Sequence, residues 1–571
     1  MALVMATGMA TDMGTAVMLP RAEVLDRSSG RAVGSVTRQP CHASSVVQIR
    51  FGYCVALIAL GLTHGLSFAQ LAGVGQGGGD SALGANVGLI SGGSGSGGGL
   101  RVQPRMSLMQ TWTDNLNLRD AAKDAAFITT VAPGLSISSS AGRLRGNFDY
   151  ALNGLIYSKT ERENHLQHSL SANANLELID RRLFVDIRAS YGQQQTSAFG
   201  QQTSPENSVR NPNSTDIASL TVTPSWRGRF GNFASYEARA SATETNAKGS
   251  SIGDSRVTDV SLRADAMASG PLAWWGLLSA QQSHFKAAQD NSRSSATAGL
   301  KYRVDVDVNV GINAGFERSD LKTASSQAGA TYGLNGSWTP TARTSMQGDY
   351  QRHDYGNSHS LSLNHRFQRS SIRFSDSTSV SQGFDSRAGG QMTNYQLYFF
   401  QFESLYPDPV IRDAKVRQFL QETGRSPNAQ ANSGFLSSSP SLQHRQELSA
   451  SWQGQRASVT ATLNQSRNSR IGGQVPGSGD LAQSSVVLQR GASATLSYRL
   501  TPESSTNMTF SEQQTRGDQA SQSTTLRTVN LAWTGRLGQK GSLNVGARYS
   551  LFRGALPYHE NSVFATLVHQ F

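Results

Sequence analysis

From Val304 to Phe316 every second residue is apolar: Val304, Val306, Val308, Val310, Ile312, Ala314 and Phe316. The residues between them, Asp305, Asp307, Asn309, Gly311, Asn313 and Gly315, and Glu317 after them, are polar or glycine. A strand sends successive side chains to opposite faces, so this period of two predicts one apolar and one wet face. Leu183, Val185, Ile187, Ala189 and Tyr191 repeat the pattern around Asp186, Arg188 and Ser190. Leu543, Val545, Ala547, Tyr549 and Leu551 repeat it around Asn544, Gly546, Arg548 and Ser550. Such segments run about 10 to 14 residues, whereas a tilted membrane strand needs about 9 to 11 and a soluble strand has about five or six.

A sheet that faces lipid must leave no unpaired edge, so these strands predict a closed barrel. The composition agrees. Only 37% of the 571 residues are hydrophobic and the mean hydropathy is -0.37, as expected when half of every strand faces water. The 22 Phe, 15 Tyr and 7 Trp argue against disorder. No stretch reads as a membrane helix. The formal charge is +12. The basic residues are scattered, with no cluster or aromatic motif of a nucleic-acid binder, so they read as lumen and loop charges with no nucleic-acid partner. A cationic lumen would also attract acidic polymers.

Arg50 precedes the apolar run Phe51–Leu62, and Ser67-Phe68-Ala69 sets small residues at a cleavage site. That is the order of a secretory signal. Residues 1–69 are therefore read as a signal peptide, with an over-extended start left open, and 70–100 as a Gly/Ser-rich periplasmic linker. The only two cysteines, Cys41 and Cys54, precede Ala69. A chain cleaved there has no disulfide, thiolate metal site or cysteine nucleophile.

Residues 101–571 divide into 22 predicted strands, within a range of 18 to 24. Every second connection is tight, as at Asp180-Arg181, Phe230-Gly231, Thr339-Pro340 and Gly538-Gln539-Lys540. The intervening ones are longer and polar. Outer-membrane barrels have this asymmetry of short periplasmic turns and long outer loops. The fold class is thus an all-β, transmembrane antiparallel barrel in the outer membrane of a Gram-negative bacterium. The chain ends on Phe571, preceded at intervals of two by His569, Leu567, Ala565 and Val563. This resembles the terminal strand that the outer-membrane assembly machinery recognises, with Phe571 as the signal. The expected surroundings are outer-membrane lipid and that machinery.

One insertion, 383–444, breaks the pattern. Asp408 is placed to cap a helix, Pro409 to start it and Gly424 to stop it. Val416, Phe419 and Leu420 fall on one face, with Arg412, Lys415 and Glu422 elsewhere. Tyr406, Pro407, Asp408, Pro409, Phe419 and Leu420 are the residues expected to plug or cap the barrel. The Tyr/Phe-rich segment Tyr395–Phe400, Tyr406-Pro407-Asp408-Pro409, the short helix and the long polar barrel resemble the outer-membrane proteins associated with the PEP-CTERM/exosortase sorting system. The resemblance spans most of 100–571. It implies a role in exporting surface polysaccharide or extracellular matrix, with polysaccharide or export-system proteins as partners. It supplies no catalytic residue.

No nucleophile, base and orienting group stand out as a set, and no cofactor or metal site is expected. His353-Asp354 with nearby His359 is the arrangement closest to one. His165 and His168, three apart, point to opposite faces. Asp186, Arg188, Asp305, Asp307, Asn309, Asn313, Glu317 and Arg548 are the expected lumen-lining residues. Three functions remain open on sequence: a channel or export component, an occluded barrel that serves structure or surface binding, and a surface hydrolase. The first is the leading expectation and is non-enzymatic.

Overall fold

The computed structural model describes residues 99–571, except 140–141, 160–163, 205–206, 250–251, 268–269, 287, 322–326, 382–393, 403–405, 407, 424–434, 438 and 473–478. The signal peptide and nearly all of the glycine-rich linker lie outside the described residues, as does Pro407.

Twenty-two antiparallel strands form one sheet in which each pairs with its sequence neighbours. They are β1 (Arg101–Thr113), β2 (Ala126–Ser139), β3 (Leu144–Tyr157), β4 (His165–Ile179), β5 (Leu183–Gln195), β6 (Ser214–Phe230), β7 (Ala234–Ala247), β8 (Ser255–Ala266), β9 (Leu272–Phe285), β10 (Asn291–Asp305) and β11 (Val308–Ser319). The second half comprises β12 (Gln327–Thr341), β13 (Thr344–His353), β14 (Gly356–Arg366), β15 (Ser370–Ser381), β16 (Ser441–Gln453), β17 (Ala457–Arg470), β18 (Val486–Thr501), β19 (Ser504–Arg516), β20 (Ser523–Leu537), β21 (Gly541–Arg553) and β22 (Tyr558–Gln570). β1 pairs with β22 from Arg105↔Gln570 to Thr113↔Ser562, which closes the barrel.

The two faces follow the alternation. Leu262, Leu278, Ile312, Leu334, Leu463 and Leu531 stand exposed in mid-strand on the outside. Only lipid stabilises such a band, and an even-numbered antiparallel barrel carrying it belongs in the bacterial outer membrane. Trp226, Tyr302, Trp338, Trp452, Tyr498 and Trp533 ring the outside near the tight-turn ends, where amphipathic rings sit at headgroup level. The inner face is Ser, Thr, Asn and paired charge. The tight turns use left-handed backbone: Gly231 has φ 53° and Gly538 has φ 72°, while Arg181 holds the same conformation at φ 55° without glycine's freedom.

The strand boundaries hold two corrections. The run from Val304 to Phe316 is not one strand. The chain reverses at Val306 and Asp307, between β10 and β11. A two-residue turn preserves the period of two, so the pattern alone does not mark the reversal. Likewise Thr339-Pro340 still belongs to β12, and the turn comes at Ala342-Arg343.

Among the described residues three helices interrupt the strands: α1 (Asn394–Gln401), α2 (Pro409–Thr423) and α3 (Asp480–Gln483). α2 begins at Pro409, as its sequence requires. The Tyr/Phe-rich segment ahead of it is also helical, although its aromatic composition favours strand. Its rings pack on α2, and that packing overrides propensity.

Candidate functional site: the barrel lumen

The insertion between β15 and β16 leaves the long-loop end of the barrel, yet its helices lie against the inner wall near the tight turns. Tyr406 Oη donates to Gln453 Oε1 at the end of β16. Gln401 Nε2 donates to Thr462 Oγ1 of β17 at 2.7 Å. Phe402, Tyr406, Lys415 and Phe419 line a small recess with Ser451, Thr460, Ser497 and the β16–β17 turn Gly454–Arg456. The insertion therefore enters the lumen.

The helix pair carries its own core. Tyr395, Tyr398, Phe399, Phe402, Val416, Phe419 and Leu420 are all buried together. The Phe419 ring lies 4.7 Å from that of Tyr398 and 5.4 Å from that of Phe402. Tyr395 Oη donates to Asp413 Oδ1 at 2.6 Å, and burial pushes that phenol well above its usual range. Arg412, expected away from the packed face, is buried instead. Its Nε donates to the Tyr406 carbonyl at 2.9 Å, and its guanidinium lies 4.7 Å from the Phe399 ring centre. Asp408, the expected cap, is exposed; its carbonyl accepts from Arg412 N at 2.9 Å. The wall beneath is different in kind. Ser449, Ser451, Thr460, Thr495, Ser497, Ser505 and Asn507 are buried there. These side chains are short enough for a helix to approach and polar enough to stand in water.

A second set of contacts across the lumen side lies at the long-loop end. Loop 196–213, between β5 and β6, reaches the wall formed by β19 to β22. Asn207 Nδ2 donates to Glu560 Oε2 at 2.8 Å, and Arg548 donates to Asn207 Oδ1 at 2.8 Å. Arg548 and Glu560 are 4% and 0% exposed and lie 3.4 Å apart. Thr113 also donates to Glu560. Gln201 donates to the Leu118 and Leu556 carbonyls, and Tyr558 Oη to the Gln202 carbonyl. Leu116, Leu118, Ile128, Tyr157, Val209, Phe552 and Tyr558 form an apolar core around these contacts. On the other side Asp480 of α3 accepts from Ser197 Oγ at 2.6 Å and from Ala198 N. Burial raises the Asp480 carboxyl above its usual range, against the lowering effect of both bonds. Phe435 bridges Gln195, so the end of the helical insertion joins the same layer.

On the wall of β8 to β13 a recess of about 190 Å³ contains Arg293, Glu317 and His353. Glu317 Oε2 lies 2.9 Å from Arg293 and 2.7 Å from His353 Nδ1. His353 Nε2 is 3.0 Å from Ser358 Oγ. Tyr355, whose phenol burial pushes up to about 12, stacks on His353 at 4.7 Å.

The residues expected in the lumen are thus spread out. Asp186 points inward and accepts from Asn175 at 2.7 Å; Arg188 shares its face of β5. Asn309 and Asn313 lie on the inward face of β11 with Glu317. Asp305 and Asp307 do not join Glu317: they sit, exposed, at the turn at the opposite end of that strand. Arg548 belongs to the outer clamp. Phe571 stands exposed beyond β22, its N–H donating to the Pro104 carbonyl at 3.1 Å. His353 and His359 end on opposite faces of the wall, because their strands pair Tyr350, not His353, with His359. His359 instead meets His444 and Asp376 on the outside. These three come from three strands, so no local spacing connects them. The only sequence signal is that His359 and His444 are each the fourth residue of a strand that starts at the long-loop end.

No family model matches this chain, and no curated protein does either. Solved structures do. The FrpB iron transporter from Neisseria meningitidis (F5-1 variant) is 12% identical over 82% of both chains, with a TM-score of 0.44. The siderophore receptor PirA from Acinetobacter baumannii is 10% identical over 82% of this chain and 80% of its own, at 0.43. A mutant form of the ferric enterobactin receptor PfeA from Pseudomonas aeruginosa is 10% identical over 83% and 81%, at 0.41. At these values nothing about ligand or mechanism transfers.

Proposed function

We propose that this protein is a gated outer-membrane channel, with the α1–α2 pair as an inner closure and loop 196–213 as an outer one. The observation that carries this reading is the contrast across the inner interface. The helix pair packs seven aromatic and aliphatic side chains into a core of its own and meets a Ser/Thr-rich wall through polar contacts such as Gln401–Thr462 and Tyr406–Gln453. A permanent filling would gain more from apolar surface buried on both sides. A Ser/Thr wall is stable covered or wet, as a movable plug requires. The resemblance to exosortase-associated barrels suggests surface polysaccharide as the cargo, and the chain's positive charge suits an acidic one.

The test is single-channel conductance of residues 70–571 in planar bilayers, beside a deletion of 391–428. Conductance that appears or rises on deletion supports the plug, and block by acidic polysaccharide supports the cargo. Silence from both, and from the deletion combined with Glu560→Ala, in protein that migrates as a folded barrel, refutes the channel. It would favour an occluded structural or surface-binding barrel, a reading supported by the apolar core around the outer clamp. The order Ser358, His353, Glu317 is the observation that favours a hydrolase. Hydrolysis of a surface ester or glycan that disappears in both Ser358→Ala and His353→Ala would establish that reading.

A further inference from the structure

His359, Asp376 and His444 lie side by side on β14, β15 and β16, on the outward face. The register places His359 and His444 level with one another across Thr378, and Asp376 two residues along on the same face. Both imidazoles aim Nε2 at one oxygen: Asp376 Oδ1 is 3.1 Å from His359 and 2.8 Å from His444. The three donor atoms all lie within 4.8 Å of one another. Ligands bound at about 2.0–2.2 Å to one ion sit roughly 3 Å apart, so the spacing suits a shared ion.

The carboxylate is also held from behind. Asp376 Oδ2 accepts from Gln446 Nε2 at 3.1 Å. Gln446 Oε1 accepts from Gln465 Nε2 at 3.4 Å, and Gln465 Oε1 from Arg490 Nε at 2.8 Å. This relay across four strands, β15 to β18, turns Oδ1 toward the histidines. Outer partners of this kind orient a ligand and tune its affinity. The site borders the apolar band: Leu361 and Leu363 follow on the same face of β14, and Leu448 on that of β16. Its three side chains remain 35%, 20% and 33% exposed, so an ion can enter and water can complete its shell.

We propose that His359, Asp376 and His444 form a first-row divalent transition-metal site on the outer surface of the barrel. Two neutral imidazoles and one carboxylate favour Zn²⁺ or its neighbours over the oxygen-seeking Mg²⁺. Each imidazole binds through Nε2 with its proton on Nδ1.

The experiment is calorimetric titration of Zn²⁺ into folded residues 70–571 in detergent, with excess Mg²⁺ present. One site per barrel is expected, weakened at least 10-fold in His359→Ala and in His444→Ala. Gln446→Ala, which removes no ligand, weakens it by about 10-fold. Should an alanine variant fail to migrate as a folded barrel, His359→Gln and His444→Gln replace it. Absence of Zn²⁺ binding, competition by Mg²⁺, or unchanged affinity in the histidine variants overturns the site.

Discussion

Phe419→Ala separates the helix pair from the barrel. Phe419 is 4% exposed and contacts Tyr398 and Phe402, so truncation empties the centre of the small core. A buried Phe→Ala change costs about 3–5 kcal/mol. The helices have 8 and 15 residues, too short to persist in water without tertiary packing. A loss of that size is comparable to all the packing such a unit has, and shifts docked against undocked by roughly 10²–10⁴-fold. The barrel should be untouched, because its strands are paired in a closed ring. The assay uses the absence of cysteine after Ala69. Thr460→Cys places one thiol on the wall beneath Phe402 and Tyr406. In the parent it should react with maleimide slowly, and with Phe419→Ala at least tenfold faster, while heat-modifiable migration is unchanged. Equal labelling rates would refute the docked helix pair as a separable unit. Loss of the folded band would show that the barrel depends on it.

Three further outcomes follow from other contacts. Arg181→Gly relieves a left-handed residue whose side chain is 91% exposed, and should stabilise the barrel by roughly 0.5–1 kcal/mol in urea unfolding. Glu560→Ala leaves Arg548 buried without its carboxylate. It should weaken the outer clamp by about 3–5 kcal/mol, read as faster proteolysis within 196–213, whereas Glu560→Gln should restore part of the protection. Asp480 gives a pH dependence. Its carboxyl is raised in the closed layer, so the closed layer binds the proton more tightly than the open one. Its contribution is complete below the ordinary carboxylate range and is lost as pH rises through the raised value. Labelling of a thiol at Ala198→Cys, taken relative to that of free cysteine at the same pH, should therefore be slower at pH 4 than at pH 7, and Asp480→Asn should remove the difference.

The barrel was legible because its determinants are local. Alternation at Leu183–Tyr191 and Leu543–Leu551 states which face meets lipid, and turns such as Asp180-Arg181 state where the chain reverses. What the loops do was not legible. Nothing near Asn207 points to Glu560, which lies on the far side of the sequence, and Asp480 reaches Ser197 by the same long-range route. Arg412 reads as a solvated face because a helical wheel does not show what covers it. The insertion was readable as a helix from Asp408, Pro409 and Gly424. Inside the lumen it meets Ser451, Thr460 and Ser497, which look like ordinary lumen residues because this contact needs no different chemistry.

The two proposed closures differ in what holds them, and that difference makes the proposed gate testable as a whole. The outer layer rests on a buried ion pair, Arg548–Glu560, and on hydrogen bonds to Glu560 and Asp480, which fail when one partner is removed. The inner unit rests on aromatic packing, which fails when volume is removed. If they close the same path in series, neither variant alone should conduct fully. Phe419→Ala combined with Glu560→Ala should conduct well beyond the sum of the two. If Phe419→Ala alone gives the full conductance, the outer layer is no barrier and its clamp serves only to order loops. If Glu560→Ala alone does so, the helix pair lies beside the path and not across it. Only conductance that requires both changes is consistent with a channel closed at both levels.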